Sequence, residues 1–468
     1  MTTRARTRLP RSSRHRRRLK LLLLSIIAAG ATVLAACDSG GSVSDLEGEE
    51  GEENEEQAME VDPEHEGEEV ELEFWTFVDA HADFMMERAE EFNAENSDYN
   101  IVINASVADY EDMHDRLLVA LQSGAGAPDV VDIEIGRFGT YLRGDVQLHP
   151  LTDVVDAHRD ELVEERTAPY QLDGVDYGID YHLGTWVMFY NNAVLEEAGV
   201  DVDEIVTWDD YIEAGQQVAE NTDAMMTSVE TTAPTSLLGL MKQNGGGIYD
   251  ENNELILDSP ENVEAVQLIS DMVHEHGIAE APPGSEHHET AYYEAFNNGE
   301  YASVWMPQWY MIRFTEFMPD TEGDMLVRPM PEFEPGGFIS TMGGGTGTAI
   351  TTHIDEEKLD AAKEFLGFAK LTYDAQVALW TDLGFDPFRN DVYDDPALTE
   401  PDPWFGDEPV MTNLQEMFDR LAPEYTGPRY PEAIIQLAEN VAYEVIEENA
   451  DPQQSLERGA DQVRSVDE

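Results

Sequence analysis

The stretch VELEFWTFVDAHADFMMERAEEFNAENSDYNIVINASVADYEDMHDRLLVALQSGAGAPDVVDIEI, residues 70 to 135, decides the fold. Val70 to Phe77 is rich in alternating apolar residues and reads as a strand. Asp79 then caps a helix that carries Phe84, Met85, Ala89 and Phe92 on one side. Ile101 to Val107 is a second strand. Asp109 caps a second helix, bearing Met113, Leu117 and Leu121 and stopping at Gly124, and Val130 to Ile135 supplies a third strand. Strand, helix, strand, helix, strand is the pattern of a parallel sheet covered by helices.

The same alternation continues toward the C-terminus. Trp186 to Tyr190 and Tyr301 to Met306 read as strands, and Trp208 to Glu220 and Asn262 to His276 as helices. Leu359, Ala362, Leu366 and Ala369 mark another helix. A long amphipathic helix follows at Glu432 to Asn449, with Ile434, Leu437, Val441 and Val445 aligned. The class is therefore α/β throughout, and no internal repeat is visible. About 395 residues follow the N-terminal segments, more than one core usually serves, so two lobes are expected. In open α/β sheets a ligand sits beyond the carboxyl ends of the strands, which directs attention to the loops after Phe77 and Ile135 and around Tyr181.

Toward the N-terminus the reading changes. Nine Lys and Arg residues and no acid precede the apolar run Leu21 to Ala36, which ends in small residues before Cys37. This is the form of a signal peptide over residues 1–36. Its apolar core is short of the roughly 20 residues that span a bilayer. Leu34-Ala35-Ala36-Cys37 has the form of a lipobox, in which the thiol is acylated and the chain is cut just before it. The alternative is an uncleaved anchor with Cys37 as an ordinary thiol. Arg16-Arg17-Arg18 forms a candidate twin-arginine export signal. From Asp38 to Glu73 there are seventeen acids and no Lys or Arg, a composition that cannot bury enough apolar surface to fold. Residues 37–69 are therefore expected to be an acidic, disordered tether to the membrane, the only membrane attachment expected.

The whole chain carries a formal charge of -73. Without the first 37 residues, nine of its 26 basic residues go, leaving 17 against 99 acids, or -82. Only four lysines remain, at positions 242, 358, 363 and 370. Such a surface repels itself in dilute buffer and stays hydrated where salt screens it, the signature of a halophile's protein. It also excludes nucleic acid, which demands a basic footprint. The single cysteine leaves no disulfide or cysteine-based metal site within the folded part. His287 and His288 are adjacent, and His274 and His276 lack helical i, i+4 spacing, so no metal and no cofactor is expected.

Several segments carry a resemblance. ELEFWTF, APDVVDIE, YNNAVLEEAGV followed by TWDDYIEAG, and GEYASVWMPQWY resemble the extracellular solute-binding proteins of ABC-type sugar importers. DYHLGTWVMFYNNAV, PPGSEHHETAYYEAF, ASVWMPQWYMIRF, MGGGTGTAIT and LGFDPFRNDVY resemble, in that order, the arabino-oligosaccharide-binding lipoproteins within that family. The resemblance implies a two-lobed clamp of the periplasmic-binding-protein kind, each lobe a mainly parallel sheet flanked by helices, with the cleft between lobes. On this reading residues 70–182 plus 307–355 form the N-terminal lobe and 183–306 plus 356–468 the C-terminal lobe. A sugar enters the cleft, the lobes close, and the monomeric, exported protein docks on the membrane subunits of an ABC permease.

A sugar offers a flat apolar face and a rim of hydroxyls, so its site needs aromatic platforms and polar groups. Trp75, with its neighbour Thr76, ends the first strand, and Trp305 and Trp309 flank a turn; these tryptophans are stacking candidates, and each also reads as core. Glu134 and Arg137 follow the third strand as a hydroxyl-binding pair, and Asp180, Tyr181 and His182 sit where the chain should cross between lobes. Glu230, Asp386 and Arg389 are carried over from the resembling segments. Gly344 and Gly345 belong to a glycine run with no Lys-Ser or Lys-Thr after it, so close backbone approach to a ligand fits better than a phosphate loop. A secreted glycosidase is the rival class, although neither Gly-x-Ser-x-Gly nor His-Glu-x-x-His occurs. A binder of another oligosaccharide or of a polyol phosphate is the other alternative.

Overall fold

The computed structural model describes residues 55–59, 67–427 and 429–465. The signal peptide, Cys37 and most of the expected tether lie outside the described residues.

Strand β2 (Glu68–Thr76) alternates as its sequence does: Val70, Leu72, Phe74 and Thr76 are buried, while Glu69, Glu71 and Glu73 face out. Helix α1 (Asp79–Glu95) lays Ala82, Phe84, Met85, Ala89 and Phe92 on the sheet. Strand β3 (Tyr99–Val107), helix α2 (Tyr110–Ser123) and strand β4 (Val130–Glu134) complete the unit. Gly124, at φ 71°, terminates α2 in the left-handed region that glycine adopts without strain. β2 runs parallel to both β3 and β4. The third strand stops one residue earlier than its apolar run, because the Glu134 carboxylate accepts the Gly136 amide at 2.8 Å and starts helix α3 (Ile135–Tyr141).

Two further strands flank this parallel centre. Thr346–Ile350 pairs antiparallel with β4, and β1 (Glu55–Ala58) pairs antiparallel with β3. β1 lies within the span expected to be a disordered tether. Low hydrophobicity argues against a core but not against main-chain pairing at a sheet edge, where β3 offers free amides and carbonyls.

The second sheet is centred on Trp186–Asn191, whose six residues are all buried. Trp186, Met188 and Tyr190 face one apolar core, and Val187 and Phe189 face another. Its neighbours Ser303–Pro307 and Met325–Arg328 both run antiparallel to it. A parallel Met225–Tyr301 bridge and the parallel pair Thr227–Ser228 with Ala279–Glu280 add the opposite arrangement, so the second lobe is mixed. The expected parallel arrangement holds at the centre of the first lobe's sheet, whereas the strand at the centre of the second lobe's sheet has antiparallel neighbours on both sides. In the second lobe the central strand leads away from the first crossing and its neighbours lead the chain back, so their directions oppose.

The chain crosses between lobes near 182–185, 342–345 and 384–391, and these crossings lie side by side. Thr185 bridges Met342, the Gly343 amide donates to the Gly184 carbonyl at 2.9 Å, and the Asp386 carboxylate accepts the amides of Gly184 and Thr185, both at 2.9 Å.

The lobe boundaries differ from those expected. Residues 307–341 carry Tyr310, Phe314, Met325 and Val327 into the second lobe, not the first. Helices Glu356–Leu371 and Tyr373–Leu383 belong to the first lobe: Phe365, Leu366, Ala369 and Leu379 join its core, and Phe365 meets Phe92 edge-on at 5.8 Å. A helix's apolar stripe says that it is buried, not which of two cores buries it. Among the described residues no helix is long and apolar enough to cross a membrane.

Candidate ligand-binding cleft

The carboxyl ends of β2 and β4 deliver Phe77 and Glu134 to one side of a cleft of about 570 Å³, where a parallel sheet should place its ligand. Asp79 and His81 join from the start of α1. The crossings supply His182, Gly344, Gly345 and Phe385, and the second lobe supplies Trp309 and Arg313. Aromatic and polar groups therefore converge from both lobes.

The cleft is acidic. Asp79, Glu134, Glu316 and Asp382 line it against Arg313. Burial holds His182 down to about 3, so it is neutral at physiological pH. Burial pushes the Glu134 carboxyl up to about 7, partly offset by hydrogen bonds from the Tyr110 hydroxyl and the Gly136 amide. Arg137 supports this corner from outside: it donates to Glu111 at 2.6 and 2.7 Å, and its guanidinium lies 5.2 Å from the Tyr110 ring centre. Such a surface suits hydroxyl donors and opposes anions.

Trp309 lies nearly parallel to the His288 ring, 18° apart with centres at 5.8 Å. Gly344, at φ +70°, passes beneath the indole, and a Cβ there would stand 2.8 Å from Trp309 Nε1. Gly345, at φ +137°, passes over the buried group Arg166, Asp180 and Tyr170. In that group Arg166 Nε lies 2.6 Å from Asp180 Oδ2, and the Tyr170 hydroxyl donates to the same oxygen at 2.6 Å. Asp180 also accepts the Thr346 amide at 3.0 Å and so fixes the segment that carries Gly344 and Gly345.

Below this floor lies a second buried network. Asp132 accepts hydrogen bonds from Thr76 Oγ1 at 2.9 Å, Thr348 Oγ1 at 2.6 Å and the Tyr181 hydroxyl at 3.1 Å, and pairs with His81 Nδ1 at 3.0 Å. His81 stacks on Tyr181, and Lys370 Nζ sits 3.2 Å from the other ring's centre, that of Tyr181. Burial lowers Lys370 to about 7.

Of the residues expected at the site, Glu134, His182, Trp309, Gly344 and Gly345 meet in the cleft. Thr76, Asp180, Tyr181 and Asp386 are buried beneath it or in the crossings, engaged with protein groups. Four lie elsewhere. Trp75 sits against α2 with the Arg116 guanidinium 4.5 Å from its ring centre. Trp305 is 1% exposed and donates from Nε1 to the Ser236 carbonyl at 3.0 Å, so it is core. Glu230 is fully buried in the second lobe and accepts the amides of His287 and Ser236 at 3.0 and 3.3 Å. Arg389 holds Asp391, with Nε at 2.6 Å, and donates to the Leu371 carbonyl at 2.8 Å. Missed from the sequence were Phe77, His81, Arg313 and Phe385. Phe77 carried a signal, as the last apolar residue of a strand whose carboxyl end faces the ligand; Arg313 carried one in the scarcity of arginine.

Comparison with known proteins agrees with this geometry. Residues 79–372 match the family described as bacterial extracellular solute-binding protein. The chain is 40% identical over 399 residues to the arabinooligosaccharide-binding protein of Halalkalibacterium halodurans, spanning 85% of this chain and 89% of that one. It is 38% identical over 402 residues to the arabinooligosaccharide-binding protein of Bacillus subtilis, spanning 85% and 92%. In fold it is similar to the sugar-binding protein MalE of Xanthomonas citri, with a TM-score of 0.71 at 17% identity over 85% of this chain and 97% of that one. The chain belongs to the bacterial extracellular solute-binding protein family, and is a binder of solutes rather than an enzyme.

Proposed function

We propose that this protein captures an arabino-oligosaccharide outside the cell and delivers it to the permease of an ABC importer. The observation that carries the reading is 40% identity along 85% of the chain to a protein of that specificity. The cleft supports it: carboxylates to accept hydroxyls, an indole to underlie a sugar ring, and contributions from both lobes. A ligand that touches both lobes binds the closed arrangement better, and so drives closure about the three crossings. Trp309 is the stacking residue and Glu134 the first-lobe acceptor. Acylation of Cys37 tethers the monomer near its permease, and the acidic surface suits it to high salt. The acids of the cleft weigh against a polyol phosphate.

Calorimetric titration in molar salt against arabinose, arabino-oligosaccharides, maltose and xylo-oligosaccharides tests the reading. Tightest binding is expected for an arabino-oligosaccharide. Binding only to another sugar would refute the specificity, and hydrolysis of the sugar by purified protein would refute the binding role.

A further inference from the structure

Where the lobes meet, helix α3 of the first lobe lies against helix Tyr430–Gln436 of the second, with the Tyr430 ring beside Gly136. At this seam stands Glu424, 7% exposed, just after the short strand Leu421–Ala422 of the second lobe. Its two oxygens differ. Oε1 takes the ammonium of Lys242, itself 3% exposed, and accepts the Tyr430 hydroxyl at 3.5 Å. Oε2 is buried with no hydrogen-bond partner, and Arg166 Nη1 stands 3.9 Å away. Arg166 is committed to Asp180 through Nε and to the Gly344 carbonyl through Nη2. A carboxyl oxygen withdrawn from water with unmet accepting capacity is a costly arrangement unless a donor meets it.

Glu134 reaches the same seam from the first lobe. The charges of Glu134 and Glu424 both act on Tyr430, and Glu424 is among the groups that raise the Glu134 carboxyl. Two carboxylates beside the same tyrosine repel an anion. Lys242 and Arg166 already supply positive charge beside them, which disfavours a cation. A neutral molecule rich in hydroxyls brings donors without charge.

We propose that Glu424 is the second lobe's hydroxyl-accepting residue, presented by Lys242 opposite Glu134, so that one neutral polyol ligand is gripped by both lobes. This rests on the sugar-binding reading and adds to it the residue that makes binding depend on closure. A ligand hydroxyl reaches both carboxylates only when the lobes are together, which is the differential affinity that closure requires.

The test uses the double variant K242M/E424Q, which removes a buried charge pair as a unit and leaves Arg166 paired with Asp180. Thermal unfolding and small-angle scattering of the ligand-free protein, both in molar salt, are expected to match wild type. Affinity for arabinotriose is expected to fall about tenfold or more. In a cycle with mono-deoxygenated arabinobiosides, one missing hydroxyl should cost wild type affinity and the variant nothing. Should the double variant fail to fold, E424Q alone is carried through the same cycle. Affinity within about twofold of wild type, or a loss that couples to no hydroxyl and comes with an opened ligand-free form, would overturn the proposal while leaving sugar binding intact. A wild-type protein that binds no sugar would overturn both.

Discussion

Replacing Gly345 by alanine should act mainly on stability, because the added methyl group meets the buried Arg166, Asp180 and Tyr170. At φ +137° an alanine is held in backbone space that side chains rarely adopt, at a cost of about 1–3 kcal/mol. Its Cβ would press into Arg166 Nη2 and stand 2.7 Å from Asp180 Oδ2 and 2.8 Å from the Tyr170 hydroxyl oxygen. All three are buried, so the ion pair must loosen rather than swing into water; losing a partner outright costs about 3–5 kcal/mol, and partial displacement a fraction of that. Together these give roughly 3 kcal/mol. At about 2 °C per kcal/mol for a long chain, the midpoint should fall by roughly 6 °C. Gly344→Ala is the matched comparison. At φ +70° alanine is strained by only about 1–2 kcal/mol, but its Cβ meets Trp309 Nε1 at 2.8 Å and must move the indole. Scanning calorimetry and sugar titration of both variants in molar salt should separate them: Gly345→Ala loses mainly stability, and Gly344→Ala mainly affinity. A Gly345→Ala midpoint within about 1 °C of wild type would refute the reasoning.

Trp309→Ala should weaken sugar binding about tenfold, whereas Trp75→Ala, away from the cleft, should leave it within about twofold; isothermal titration distinguishes them. Glu134 titrates near 7 because burial disfavours its charge. Its raised value means that the folded state holds the proton more tightly, so its contribution to stability is full below the unfolded value and is lost as pH rises through 7. The ionised form is the better acceptor, so affinity should strengthen from pH 6 to 8, and Glu134→Gln should flatten that profile in titrations at both pH values. Asp132→Ala strands the buried Lys370 and leaves two threonines and Tyr181 without their shared acceptor. Urea unfolding in molar salt should show a loss of about 3–5 kcal/mol.

Most of the first lobe was legible in the sequence because its strands alternate and its helices carry clear stripes, from Val70 in β2 to Leu121 in α2. The second lobe's strand directions were not, because Trp186–Asn191 is buried on both faces and an unbroken apolar run says nothing about its neighbours' direction. The assignment of Phe365 and Leu379 to the first core was hidden for a related reason, since a stripe marks burial and not the partner. At the site, polar residues near the crossings were read as ligand contacts, yet Asp180 and Asp386 serve backbone amides at the crossings. A carboxylate that binds main chain and one that binds sugar are alike in sequence. Trp305 and Trp309, four residues apart, show the same limit: one indole reaches a core carbonyl and the other the cleft.

Strand β1 has a consequence for the edge of the first lobe's sheet at high ionic strength. Repulsion between copies of so acidic a chain is screened beyond about 3 Å at molar ionic strength, so charge no longer keeps neighbouring molecules apart. Left bare, the nine-residue β3 would offer a neighbour a long template for strand pairing. Glu55–Ala58 occupies part of that template and presents in its place a rim only four residues long. In molar salt Glu55–Ala58 would thereby leave a neighbouring copy less strand edge to pair with.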